Sequence, residues 1–246
     1  MMSAPSSEPR LLFVTGTDTG VGKTAVSCAL LAAWRRRGVK VGALKPIETG
    51  VTPGDFSADS DGVRLAAAAG LRPQQSICMQ LPLPLAPEAA AHAAGAAIDP
   101  QELVALCQKR ARMLDSALVL IEGAGGLLVP IAPGYTMADL ALDLGAQVLV
   151  VARTRLGTIN HTLLTVSECR RRGLRLCGVI LNRATPESGE EDRDNAALIR
   201  AHGDIPVWGP LPHVPGAFDP DALARAAESQ LPLTELLTGL AASHMS

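Results

Sequence analysis

Gly22-Lys23-Thr24 closes a glycine-rich turn in the run Leu-Leu-Phe-Val-Thr-Gly-Thr-Asp-Thr-Gly-Val-Gly-Lys-Thr, residues 11–24. A turn that opens into a helix aims backbone N–H groups at an anion, and Lys23 adds a point charge for β- and γ-phosphates. Thr24 supplies a hydroxyl of the kind that ligates Mg²⁺ beside a triphosphate. The strict spacing GxxxxGK[ST] would need glycine at position 17, where the chain has Thr17; Gly16 lies one residue too far upstream, so the loop is a variant. A chance Gly-Lys-Thr on an ordinary turn is the competing reading. The order of apolar strand, turn and helix favours nucleoside triphosphate binding.

Other residues could complete such a site. Glu122 follows the apolar run 117–121 and precedes Gly123-Ala124-Gly125-Gly126. An acid at a neighbouring strand tip can reach a phosphate-bound metal, and a glycine turn lets a ligand approach the backbone. Asp55, Asp59 and Asp61 lie in a polar stretch; any of them could join the metal, or all could be solvated. Lys45 follows the run 39–44, where Pro46 could turn its ammonium over the phosphates, with Thr49-Gly50 close by. Leu156-Gly157-Thr158-Ile159-Asn160-His161 leads from a strand end into a helix. Free N–H donors there suit a carboxylate or phosphate, although a plain helix cap needs neither.

These residues need a scaffold that gathers loops at one sheet edge. Apolar runs at 11–15, 39–44, 117–121, 147–152 and 176–181 predict strands, with a short one at 206–208. Helix-period segments at 23–37, 100–114, 158–172 and 191–202 alternate with them, the signature of βαβ units. Residues 52–61 read as loop, and the three prolines of 81–87 as an extended connection. Arg35-Arg36-Arg37 complements the carbonyl end of the first helix. The alanine-rich stretch 88–97 is too short for a linker. The expected fold is α/β and P-loop NTPase-like, a mostly parallel central sheet flanked by helices. It forms a single domain over residues 1–246, with residues 1–10 a disordered tail.

Composition narrows the function classes. The 246 residues are 48% hydrophobic and 19% charged, which excludes a disordered or coiled-coil chain. Lys and Arg number 22 against 24 Asp and Glu, a net charge of −2 that disfavours a nucleic-acid or anionic-membrane binder. Three Phe, two Trp and one Tyr leave little for base stacking. The five cysteines include no CxxC pair, and neither a disulfide framework nor a zinc site is suggested. No signal-peptide core and no apolar window of about 20 residues is present, so a soluble, cytoplasmic protein is expected.

Taken together, residues 16–24 (GTDTGVGKT), Lys45-Pro46 with Thr49-Gly50, residues 122–126 (EGAGG) and residues 156–161 (LGTINH) resemble the dethiobiotin synthetase family. The resemblance implies an ATP- and Mg²⁺-dependent ligase of biotin synthesis that closes a ureido ring from 7,8-diaminononanoate and CO₂ (or bicarbonate). It also implies a homodimer with active sites at the interface, and no nucleic acid or membrane partner. Residue by residue, it implies that Gly20, Val21, Gly22, Lys23, Thr24 and Ala25 hold phosphates and that Thr24, Asp61 and Glu122 bind Mg²⁺. Asp61 is preferred over Asp59 because Ser60-Asp61 matches a Ser-Asp pair followed by a helix. Lys45 is implied to be catalytic, together with Lys23, and Thr49 to touch substrate. Gly123, Ala124 and Gly125 are implied on the ATP side, with Gly125 also by the diamine. Gly157, Thr158, Ile159 and Asn160 would receive the substrate carboxylate from the partner subunit. Asn182 would read adenine, with Arg183, Pro212, His213 and Val214 bordering it. Arg183 stands where some relatives have Asp, and Gly20 where some have Glu.

Other classes fit less well. A cobyrinate-type amidotransferase would need a glutaminase domain for which no length remains. A partition-type switch ATPase would usually carry a second lysine at Thr17-Asp18, and no NKxD motif marks a GTPase.

Overall fold

Leu12 and Val14 pack with one buried apolar cluster and Phe13 with another, so successive residues of the first strand face opposite sides of a sheet. That period of two, with both sides apolar, is what a sheet covered by helices on both faces requires. The computed structural model describes residues 8–185, 191–216 and 218–242. The chain runs β1 (Arg10–Gly16), α1 (Lys23–Arg36), β2 (Val41–Leu44), β3 (Glu48–Thr49), α2 (Asp61–Ala69), α3 (Pro73–Ser76), β4 (Gln80–Leu81) and α4 (Pro87–Ala93). It continues through α5 (Pro100–Met113), β5 (Leu118–Gly126), β6 (Pro130–Ala132), β7 (Tyr135–Thr136), α6 (Met137–Asp143) and β8 (Gln147–Arg153). The last elements are α7 (Thr158–Arg171), β9 (Arg175–Asn182), α8 (Glu191–Gly203), β10 (Val207–Leu211), α9 (Pro220–Gln230) and α10 (Leu233–Ala242).

Six strands form the central sheet in the order β10-β9-β8-β1-β5-β2, and every pairing is parallel. Chain order reverses beside β1, which places a crevice at its carboxyl end, the usual ligand position of open α/β sheets. One face is covered by α1, α2, α9 and α10, whose Leu30, Leu65, Ala224 and Leu236 pack on Leu118, Leu120 and Val151. On the other, Leu103 of α5, Leu140 of α6 and Val166 of α7 pack on Val119, Ile121 and Val150. Helix α1 is buried along most of its length, and Trp34, fully covered, donates its indole N–H to the Leu233 carbonyl at 3.2 Å.

Several expectations shift. Arg10 is the first residue of β1 rather than tail, its amide donating to Ala117 O at 3.1 Å; residues 1–7 lie outside the described residues. β5 runs on through Glu122 to Gly126, because Val14 and then Gly16 of β1 pair alongside it past Ile121. β10 reaches Leu211 despite Pro210; as the outermost strand it has a side needing no N–H donor. Pro87 begins α4, where the first turn does not use its missing N–H, and the alanine-rich stretch supplies that helix. Asp61 is not loop but the first residue of α2, capped by Ser60. Beyond the expected strands and helices the chain forms β3, α3, β4, β6, β7, α6, α9 and α10; Thr136 with Asp139 forms a capping box at α6, and Asp219-Pro220 marks the start of α9.

Candidate functional site

The loop between β1 and α1 is shaped by its glycines. Gly20 and Gly22 have φ of 72° and 89°, values L side chains rarely adopt. Gly22 caps α1 with no side-chain hydrogen bond, which leaves the first N–H groups of the helix for an anion. A Cβ on Gly16 would fall 2.8 Å from Asp18 O and 2.9 Å from Val21 Cγ2, so the upstream glycine serves loop packing. Lys23 Nζ donates to Asp18 O at 3.3 Å, folding the loop over itself. Val21 is fully buried and, unlike Gly20 and Gly22, does not line the cleft.

Beneath the loop, four side chains meet. Lys45 Nζ lies 2.7 Å from Glu122 Oε1 and 3.1 Å from Asp61 Oδ2. Thr24 Oγ1 is 2.9 Å from both Asp61 Oδ1 and Glu122 Oε1. Each arrives on a different element: Thr24 from the first turn of α1, Lys45 just after β2, Asp61 from the start of α2 and Glu122 from within β5. Burial would pull the Lys45 pKa down, but the facing Glu122 and Asp61 carboxylates outweigh it and hold it above the ordinary lysine value. Asp61 is the converse case. Burial pushes it up, yet Lys45, the Thr24 hydroxyl and Lys23 bring it below the usual carboxylate value. Lys23 is lowered, chiefly by burial and further by the Lys45 charge, against the pull of Glu122.

Among the described residues no cluster of three or more His, Cys, Asp or Glu is arranged to hold a metal. Mg²⁺ beside a nucleotide asks for less: one or two carboxylates, with phosphate and water completing the octahedron. Thr24, Asp61 and Glu122 are hard oxygen donors, and Glu122 Oε2 is buried with no hydrogen-bond partner. An orphaned carboxylate oxygen at this depth is costly unless a cation takes it up. The residues fit the ion. Asp59 also lines the cleft but pairs with Arg64 at 2.8 Å while its side chain is 96% exposed, and Asp55 is exposed.

The cleft above this cluster has a volume of about 1090 Å³. Gly20, Ala25, Thr49, Ala124 and Gly125 line it, and Asn182, Arg183, Pro212, His213 and Val214 surround its far end. Asn182 is itself buried, and its Nδ2 donates to Val21 O at 2.9 Å. Gly123 lies apart from the lining, its missing Cβ making room for the Phe13 ring. Gly157, Thr158, Ile159 and Asn160 are not brought into the cleft of their own chain. Gly157 and Asn160 are exposed, Thr158 Oγ1 donates to Arg153 O at 2.6 Å, and Ile159 packs on the core.

Two contributions escaped the sequence reading. Arg153 at the end of β8 pairs with Asp18 at 2.7 Å, offsetting an acid in a loop built for anions. Glu48, nearly buried in the wall of the cleft, accepts hydrogen bonds from Ser60 Oγ at 2.8 and 2.9 Å and from the Gly62 amide at 3.2 Å. Spacing singles out neither, since both act on residues distant in sequence.

A parallel sheet with a phosphate loop after its central strand, and a lysine with two acids beneath that loop, define an ATP-binding α/β protein of the P-loop type. The fold is shared with a ParA family ATPase from Chlorobium tepidum TLS, 15% identical with a TM-score of 0.54 over 98% of this chain and 94% of that one. A family model described as "AAA domain" matches residues 10–220. The ATP-dependent dethiobiotin synthetase BioD of Anaeromyxobacter dehalogenans is 46% identical over 88% of this chain and 94% of its own. That of Aromatoleum aromaticum is 40% identical over 92% and 99%. The chain belongs to the ATP-dependent dethiobiotin synthetase family, and so to the ATP-dependent ligases.

Proposed function

We propose that the protein uses ATP to carboxylate and cyclise 7,8-diaminononanoate with CO₂, giving dethiobiotin, ADP and phosphate in biotin biosynthesis. The observation that carries this reading is the placement of Lys45 between Glu122 and Asp61, directly beneath the Lys23 loop. One neutral amine of the substrate attacks CO₂ and loses a proton, leaving a carbamate anion. The Lys45 ammonium, kept charged by its two carboxylates, faces that anion together with loop N–H donors. A carbamate oxygen then attacks the γ-phosphorus and ADP departs, with Lys23 and Lys45 offsetting charge on the transferring group. The second amine attacks the carbonyl carbon, loses a proton and expels phosphate, closing the ring. Thr24, Asp61 and Glu122 would hold Mg²⁺, which when bound neutralises phosphate charge. Holding both amines against one carbon contributes up to roughly 7–11 kcal/mol in ideal cases.

Thr49 and Gly125 are assigned to the diamine, and Asn182 with residues 212–214 to the base. Gly157 and Asn160, exposed and outside the cleft, are assigned to the substrate carboxylate in a partner's site, which makes the protein a homodimer. Leu156, 96% exposed, and Leu164, 61% exposed, support a covered surface there. Among the described residues no helix is long and apolar enough to cross a membrane, and a cytoplasmic enzyme is proposed.

Mass spectrometry after incubation with MgATP, ¹³C-bicarbonate and 7,8-diaminononanoate tests the reaction. Dethiobiotin labelled at the ureido carbon is expected. ATP binding without any product would overturn the reading.

A further inference from the structure

Glu48 is 4% exposed in the wall of the cleft, and its carboxylate lies against the start of α2, where it contacts the residues on both sides of Asp61. Ser60, immediately before Asp61, places its hydroxyl 2.9 Å from Glu48 Oε1 and 2.8 Å from Oε2. Gly62, immediately after it, donates its amide to Oε1 at 3.2 Å. The fit is close: a Cβ on Gly62 would stand 2.3 Å from Ile77 Cγ1 and 3.1 Å from Glu48 Oε2. Ser60 Oγ in turn accepts from the Val63 amide at 3.4 Å as the cap of α2. The backbone that carries Asp61 is therefore gripped on either side by one buried carboxylate at a helix N-terminus, where negative charge is favoured. Asp61 itself points the other way, to Thr24 and Lys45.

We propose that Glu48 is a positioning residue that fixes the first turn of α2 and so sets the Asp61 carboxylate for Mg²⁺ beside the nucleotide. This rests on the reading of Asp61 as a metal ligand. Groups that hold a ligand in place from behind typically change metal affinity or activity by about 10–100-fold when removed.

The test measures ATP binding by calorimetry, with MgCl₂ and with EDTA, for the full chain and for Glu48→Ala, Glu48→Gln, Ser60→Ala and Asp61→Ala. Glu48→Ala is expected to lose about 10-fold or more of the Mg²⁺-dependent gain in ATP affinity while its metal-free affinity stays the same. Glu48→Gln keeps the shape and one acceptor oxygen, so it is expected to recover part of the gain. Ser60→Ala, which leaves the carboxylate intact, is expected to shift binding in the same direction as Glu48→Ala. If Asp61→Ala loses the gain and both Glu48→Ala and Ser60→Ala keep it, the positioning role is overturned and the metal reading stands. Equal losses with and without Mg²⁺ in both variants would also overturn it, leaving Glu48 a residue of general stability. A parent protein whose ATP affinity ignores Mg²⁺, or an Asp61→Ala variant that retains the gain, would overturn the metal reading and this proposal with it.

Discussion

Asn182 Nδ2 sits where Gly22 would carry a side chain: a Cβ built on Gly22 falls 2.0 Å from that nitrogen. The amide donates instead to Val21 O, tying the end of β9 to the phosphate loop across 161 residues of sequence. Gly22 is thus constrained twice, by its φ of 89° and by its neighbour.

Gly22→Ala is expected to destabilise the protein by more than the about 1–2 kcal/mol that left-handed backbone costs an L residue, because Asn182 must also move. Urea denaturation checks the stability. A nucleotide titration should show weakened ATP binding in the same variant, and full affinity would mean the loop tolerates another path.

Lys45→Ala leaves Glu122 buried beside Asp61 without its cation. Removing one partner of a buried pair costs about 3–5 kcal/mol, and pairing the change with Glu122→Gln should recover much of that. Turnover is expected to fall at least about 100-fold, as when a stabilising donor is lost, with a far smaller change in ATP affinity. Equal losses in both would make Lys45 a nucleotide ligand only.

The paired charges set opposite pH limits on stability in the absence of ligands. Asp61 has a depressed native pKa, so its contribution is present above the unfolded value near about 3.9 and is lost as pH falls through the native one. Lys45 is raised, so its contribution is present below about 10.4 and is lost as pH rises through its native value. Denaturation midpoints measured across pH should therefore fall less steeply in acid for Asp61→Asn than for the parent. An unchanged acid slope would remove Asp61 from the linkage.

Leu156→Asp should shift the protein from dimer to monomer in sedimentation or light scattering. It should also lower turnover while leaving MgATP affinity near that of the parent, since the nucleotide cleft is built from one chain. A monomeric parent would remove the partner role of Gly157 and Asn160.

Much of this molecule could be read along the chain. The strand at 11–15, the helix behind Lys23 and the alternation of apolar runs with helix-period segments are local signals, because a phosphate loop and a buried strand are each written in consecutive residues. Boundaries were less legible. β5 continues through Glu122 because β1 pairs beside it, and α2 takes in Asp61 because Ser60 caps it there.

The residue types of the site, with the order Lys23, Lys45, Glu122 and Asn182, belong to the sequence alone. Which of Asp55, Asp59 and Asp61 faces Lys45, and that Glu48 lies behind the chosen one, were decided by tertiary structure. Hydrogen bonds of about 3 Å and the burial of charge depend on where separate elements dock, and spacing along a chain does not carry that distance. The cluster of Thr24, Lys45, Asp61 and Glu122 exists only because parallel strands all point their carboxyl ends to one edge of the sheet.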